Sequence, residues 1–216
     1  MPAAPEKLAS LRHLLAGRFP SVPRTTGRVL PTGLPAFDAA TGGLPLGAIT
    51  ELVCAAPSCG GHLLFGQLLT VTRVARQRVA LIDGADSFDP ASHDADLLTH
   101  LVWIRCSGLA TALPAADLLT RDANFGLVVL DLRQTRESEL RRTPATQWYR
   151  LQRAVEPADL ALIVMTPRTS VPSAQVRFIL NTSHSATALE RERSSLSLAL
   201  TPELQRQRLL TSAAVA

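Results

Sequence analysis

The sequence predicts an α/β domain: a mostly parallel sheet flanked by helices, with antiparallel strands near the C-terminus. Three observations carry this expectation. Several short runs are apolar almost throughout, such as Leu127-Val128-Val129-Leu130 and the stretch from Leu160 to Met165. Continuous rather than alternating apolar character marks strands covered on both faces, the habit of parallel sheets. These runs alternate with stretches of helical spacing, the βαβα order of an α/β layer architecture. Near the C-terminus the pattern changes to alternation (Leu196, Leu198, Leu200), which reads as a half-exposed edge strand. At 216 residues, with 46% apolar and 19% charged residues, the chain has material for one globular core.

In chain order, residues 6–19 carry Leu8, Leu11, Leu14, Leu15 and Phe19 at helical spacing, and Pro20 and Pro23 end the pattern. Residues 20–47 are rich in Pro, Gly and Thr and read as loop, with a short helix over 36–40. Strands are expected over 48–53, 78–83, 101–106, 125–131, 160–166, 175–180 and 195–200. Helices are expected over 62–76, 115–123 and 144–155, with a short one over 202–210. The expected organisation is an N-terminal helix and linker over 1–25, a core over 26–201 and a short tail over 202–216.

Bulk chemistry narrows the function classes. The net charge of +4 is a modest basic balance that permits an anionic partner without requiring one. Of the 22 basic residues all but Lys7 are arginine. The cysteines Cys54, Cys59 and Cys106 form no C-x-x-C pair and no disulfide framework, so small buried hydrophobes in a reducing cytoplasm are expected. No apolar run reaches the ~18 residues of a membrane span, and the first residues lack the layout of a signal peptide, so no membrane partner is expected.

The most informative stretch runs from Ala48 through the loop Ala55-Ala56-Pro57-Ser58-Cys59-Gly60-Gly61 into the helix that starts near His62. Strand, Gly-containing loop, helix is the layout of a P-loop. A working P-loop reads G-x-x-x-x-G-K-[ST]. Backbone N–H groups cradle phosphates, Lys reaches the terminal ones, and the hydroxyl holds Mg²⁺. Here Gly61 stands in the place of Lys and His62 in that of Ser/Thr, and the loop's first Gly is replaced by Ala55 or Cys54. Asp131 closes an apolar strand as a Walker B carboxylate does.

These segments together resemble the RecA recombinase family. The residues Thr32-Gly33-Leu34, Phe37-Asp38, Gly42-Gly43-Leu44-Pro45-Leu46-Gly47 and Glu51 are similar to the RecA segment that leads into its ATP-binding loop. Leu81 to Pro90 resembles the RecA strand and turn that carry the catalytic glutamate, and Leu127 to Asp131 resembles the Walker B strand. The resemblance spans about residues 6–200, and within the RecA-like group the chain looks most like the ImuA-type paralogues of bacterial mutasomes. It implies a RecA-like fold and a place in the DNA-damage (SOS) response, in translesion synthesis. The implied partners are RecA and/or an error-prone polymerase subunit, with single-stranded DNA as a further candidate; the N-terminal helix either self-associates or packs on its own core.

The phosphate chemistry does not carry over. Gly60, Gly61 and His62 supply neither cation nor Mg²⁺ ligand, the water-activating glutamate falls on Ala85, and Asp131 has little metal to organise. Losing one such donor costs about 3–4 kcal/mol of transition-state stabilisation. Losing all of them predicts no catalytic residues, negligible hydrolysis and no cofactor, with room only for weak ATP binding at the helix N-terminus. Two further readings stand beside the accessory protein: a divergent RecA-family ATPase whose cation comes from arginine in trans, and a cell-division inhibitor of the SulA type.

DNA-binding candidates follow from the same resemblance. Arg133, Arg136, Arg141 and Arg142, with Arg150, Arg153, Trp148 and Tyr149, lie between two strands whose loops face single-stranded DNA in RecA. Arginine with stacking aromatics is the chemistry of sequence-tolerant strand binding. The competing reading is a solvated helix face with Glu137 and Glu139 as partners and Trp148 in the core. Arg168 lies at the position of the second RecA DNA loop, in a much shorter segment. The acidic turn with Asp83, Asp86, Asp89, His93, Asp94 and Asp96 reads as a solvated loop with capping carboxylates rather than a metal site.

Overall fold

The computed structural model describes residues 27–208. The helix expected over 6–19 and its linker lie outside the described residues. A two-residue antiparallel pair, β1 (Val29–Leu30) and β2 (Leu44–Pro45), brackets helix α1 (Pro35–Thr41). The parallel part of the main sheet comes from β3 (Ala48–Cys54), β4 (Arg78–Asp83), β5 (Leu101–Arg105), β6 (Phe125–Asp131), β7 (Ala161–Thr166) and β8 (Val176–Leu180). The last strand, β9 (Glu203–Gln207), pairs antiparallel with β8, and the order across the sheet is β5-β4-β6-β7-β3-β8-β9. The connecting helices are α2 (Gly61–Val74), α3 (Ala95–Leu98), α4 (Leu109–Leu119), α5 (Glu137–Arg142), α6 (Ala145–Val155) and α7 (Arg193–Leu198).

The continuous apolar runs are explained by burial on both faces. Along β6, Leu127 and Val129 face one core while Val128 and Leu130 face the other, and Ala161, Ile163 and Met165 alternate likewise with Leu162 and Val164 on β7. Helix α2 covers the first face with Leu64, Phe65, Leu68 and Leu69. Helices α4 and α6 cover the second with Leu113, Trp148, Leu151 and Val155. A fully buried Leu or Val stabilises by about 1.5–3 kcal/mol, so strands buried twice over dominate the packing.

The lead-in segment is a structural clasp. The Asp38 carboxylate accepts hydrogen bonds from the Thr32 N–H (2.9 Å), the Thr32 hydroxyl (2.8 Å) and the Gly33 N–H (3.0 Å). Phe37 packs edge-on against Phe178 of β8 at 4.9 Å. Gly43 has φ of 130°, and a Cβ there would stand 2.6 Å from the Leu30 carbonyl oxygen, so only glycine fits between β1 and β2.

Three expected elements are corrected. The helix expected over 115–123 begins six residues earlier, at Leu109, and runs through Pro114. An interior proline costs about 3 kcal/mol. Burial of Leu109, Ala112, Leu113 and Ala116 offsets that cost. The strand expected over 195–200 is helix α7. Leu196 and Leu200 are buried four residues apart while Leu198 is exposed, so the apparent alternation was an i, i+4 pair. The helix expected over 202–210 is strand β9, held as a sheet edge by its pairing with β8. No helix among the described residues is long and apolar enough to cross a membrane.

Candidate functional site

The C-terminal ends of the parallel strands bring together Cys54 (β3), Asp83 (β4), Asp131 (β6) and Thr166 (β7), the edge where open α/β sheets bind ligands. The loop 55–60 leaves β3 with Ser58 at φ 51° and Gly60 at φ 95°, then enters α2.

A phosphate cradle depends on free backbone N–H groups, and on either side of this loop they are engaged by the chain itself. The Ala55 N–H bonds the Leu180 carbonyl of β8 (2.9 Å), and the Leu64 N–H bonds Gly60 (3.0 Å).

The cation position is also filled. Arg133, two residues past Asp131, folds back so that Nε donates to Asp131 Oδ1 (2.9 Å) and Nη2 to Oδ2 (2.5 Å). The same Nη2 lies 3.3 Å from His62 Nδ1, so His62 is the neutral acceptor, carrying its proton on Nε2. Burial, and then the Arg133 charge, lower the His62 pKa in agreement. The Arg133 and Asp131 side chains are only 14% and 7% exposed. Burial opposes the guanidinium charge, but the hydrogen bonds and charge of Asp131 outweigh it and hold Arg133 above its ordinary pKa.

Space completes the picture. A Cβ at Gly61 would meet Cys54 Sγ at 2.8 Å and both Arg133 Nη1 and Met165 Cε at 3.1 Å. A lysine there would have to displace the arginine. At Gly60 the Leu200 methyl sits in the place of a Cβ, with His184 Nε2 behind it at 3.4 Å. These residues do not fit a Mg²⁺-triphosphate: Asp131 is already paired with Arg133, and Gly61 and His62 supply neither the lysine nor the hydroxyl.

The other expected residues are placed as follows. Ala85 lies beside a depression of about 360 Å³ lined by Asp86, Arg105, Cys106 and Ser107. Asp86 pairs with Arg105 at 2.5 Å, which takes its carboxylate away from the phosphate loop. Asp83 is fully engaged by the N–H groups of Ser87 (3.0 Å) and Phe88 (2.8 Å) and by Trp103 Nε1 (3.3 Å). Asp89 caps the 3-10 turn Pro90–Ser92, and Asp96 pairs with Arg73 (2.7 Å). No cluster among the described residues is built to hold a metal ion.

Of the arginines, Arg133 faces inward. Arg141 and Arg168 converge on a single carboxylate, Glu137, while Arg136 and Arg142 are exposed. Trp148 is buried and Tyr149 is half-exposed. A groove of about 320 Å³ runs between α5, α6 and the loop after β7, with Arg141, Thr143, Thr169, Ser170 and Arg177 on its walls. Sequence reasoning missed what shapes that loop. Buried Glu51 accepts from the Ser170 N–H (2.6 Å), the Val171 N–H (3.1 Å), the Thr166 hydroxyl (3.1 Å) and Arg177 Nε (2.6 Å). A carboxylate in an otherwise apolar strand was the available signal, since buried charges are paired.

A crystal structure of the RadB recombinase matches the chain with a TM-score of 0.55 and 17% identity, covering 70% of this chain and 82% of that one. The fold is RecA-like. A scan of protein-family models finds no match, and neither does a sequence search of curated proteins. At this identity the RecA-like likeness is one of architecture.

Proposed function

We propose that the chain is an ATPase-deficient RecA-like accessory protein of the bacterial DNA-damage response. In this reading it is an ImuA-type mutasome subunit that bridges RecA or single-stranded DNA and an error-prone polymerase subunit. The observation that carries it is Arg133, which sits on Asp131 and against Gly61 where a nucleotide's cations belong. A site closed by its own side chains leaves recognition by the surface as the remaining role of the fold. The exposed Arg136 and Arg142 and the arginine-lined groove beside α5 and α6 support contact with an anionic strand.

The test is a pull-down with purified RecA filaments, an error-prone polymerase subunit and the division tubulin. Retention of RecA or the polymerase subunit is expected. Retention of the division tubulin alone overturns the reading in favour of the SulA-type alternative. In parallel, single-stranded DNA binding should weaken several-fold in an Arg136→Ala/Arg142→Ala variant and fall with salt. Phosphate release dependent on Mg²⁺ and ATP would support the divergent-ATPase alternative instead.

A further inference from the structure

We infer that the groove between α5, α6 and the loop after β7 docks an acidic peptide segment of a protein partner, taking one aliphatic side chain between flanking carboxylates. This rests on the accessory-protein reading and gives that protein partner a surface. The groove holds about 320 Å³, and its floor is apolar: Leu140, Trp148 and Val171 line it and are buried. Ala145, exposed at the start of α6, lines it too. The wall made by the loop after β7 is fixed before any partner arrives. Glu51 holds the Ser170 and Val171 N–H groups and Arg177, whose Nη2 donates to the Val171 carbonyl (3.0 Å). A groove that keeps its shape unliganded loses less affinity to ordering.

Its charges call for an anion. Among the described residues no carboxylate lines the groove. Arg141 and Arg168 share the single carboxylate of Glu137, which leaves one positive charge in excess. Arg177 is balanced by Glu51. Arg206 Nη1 donates to the carbonyl of Pro172, another lining residue (3.1 Å), and Arg206 forms no ion pair among the described residues. Arg206 also stands directly opposite Arg177 across β8 and β9, where like charges repel. Burial first, then Arg208 and Arg177, lower the Arg206 pKa, in keeping with that repulsion. A carboxylate placed at this end of the groove relieves it.

The floor decides between two anionic partners. A single nucleic-acid strand is held by bases stacked on aromatic faces. Trp148, the one aromatic residue lining the groove, is 1% exposed and offers no such face. A strand therefore stays on the rim, with the outward Arg136 and Arg142. The interior suits an aliphatic anchor, and an apolar core inside a charged rim is the usual anatomy of a protein contact.

The test is fluorescence anisotropy on the full chain, with a labelled heptapeptide of one leucine flanked by glutamates as the probe. Saturable binding is expected, about tenfold tighter than for the same peptide with serine in place of leucine. Ala145→Trp fills the groove from an exposed position and should abolish binding. Arg141→Ala and Arg206→Ala should each weaken it several-fold. Arg206→Ala should do so with its thermal midpoint unchanged or raised, because it removes a repulsion, whereas loss of a merely structural residue would lower the midpoint. No saturable binding, equal binding of the leucine and serine peptides, or binding that survives Ala145→Trp would overturn the inference. So would a thymidine oligonucleotide that displaces the peptide and is itself lost in Ala145→Trp. Peptide binding as expected in a chain that retains neither RecA nor the polymerase subunit supports the groove and overturns only the mutasome reading.

Discussion

The clasp at residues 32–43 and the loop at residues 54–62 lie on either side of β3 in the chain, and they are held together differently. In the clasp the residues that fix the backbone are all present. Asp38 ties down Thr32 and Gly33, Phe37 enters the core, and Gly43 lets β1 and β2 meet. In the loop the groups that would face a ligand have internal partners: Asp131 holds Arg133, and the Ala55 N–H bonds the Leu180 carbonyl. Residues whose role is geometry are useful with or without a ligand. Residues whose role is chemistry are useful only with one.

The largest effect is expected from Asp131→Ala. It leaves the Arg133 guanidinium buried without its carboxylate and should destabilise by about 3–5 kcal/mol in urea unfolding. The double variant Asp131→Leu/Arg133→Leu should recover most of that loss, which marks the pair as a plug rather than a catalytic remnant. Restoring the missing lysine comes next. Gly61→Lys should cost about 1–3 kcal/mol by crowding Cys54, Arg133 and Met165, with no gain of ATP hydrolysis. In the clasp, Asp38→Ala removes three hydrogen bonds at a partly exposed site and should cost about 1–2 kcal/mol in urea unfolding.

The smallest effect expected is that of pH. Burial is the largest cause lowering the pKa of His62, His93 and His100, so these rings stay neutral where the unfolded chain would protonate them. Their contribution is present above the unfolded value near 6.5 and declines as pH falls below it. Cys59, lowered from 9.0 to about 6, adds stability that grows from pH 6 towards 9 and is lost as pH falls through 6. Thermal midpoints should therefore fall between pH 8 and pH 5.5, and a rise over that span would contradict the assignments.

The fold was legible where one physical rule governed a segment. Strands β4 and β6 were read at their observed limits because double burial demands continuous apolar residues. It was illegible where pairing decided the outcome. Glu203–Gln207 has polar, weakly β-forming residues and becomes a strand because β8 offers an edge. At the site, the lost lysine was plain from sequence. The inward turn of Arg133 was not, because it stood among other arginines and sequence gives a side chain no direction. The pair Glu51–Arg177, 126 residues apart, lay equally beyond local pattern.

Arg133, held on Asp131 beside Gly61, closes the loop to a Mg²⁺-nucleotide. Titration with ATP and Mg²⁺, followed by isothermal calorimetry together with phosphate release, tests this most directly. No heat of binding is expected at micromolar to low-millimolar ATP, and no release above the blank. Saturable binding in the micromolar range that disappears in Asp131→Ala, accompanied by turnover, would contradict it.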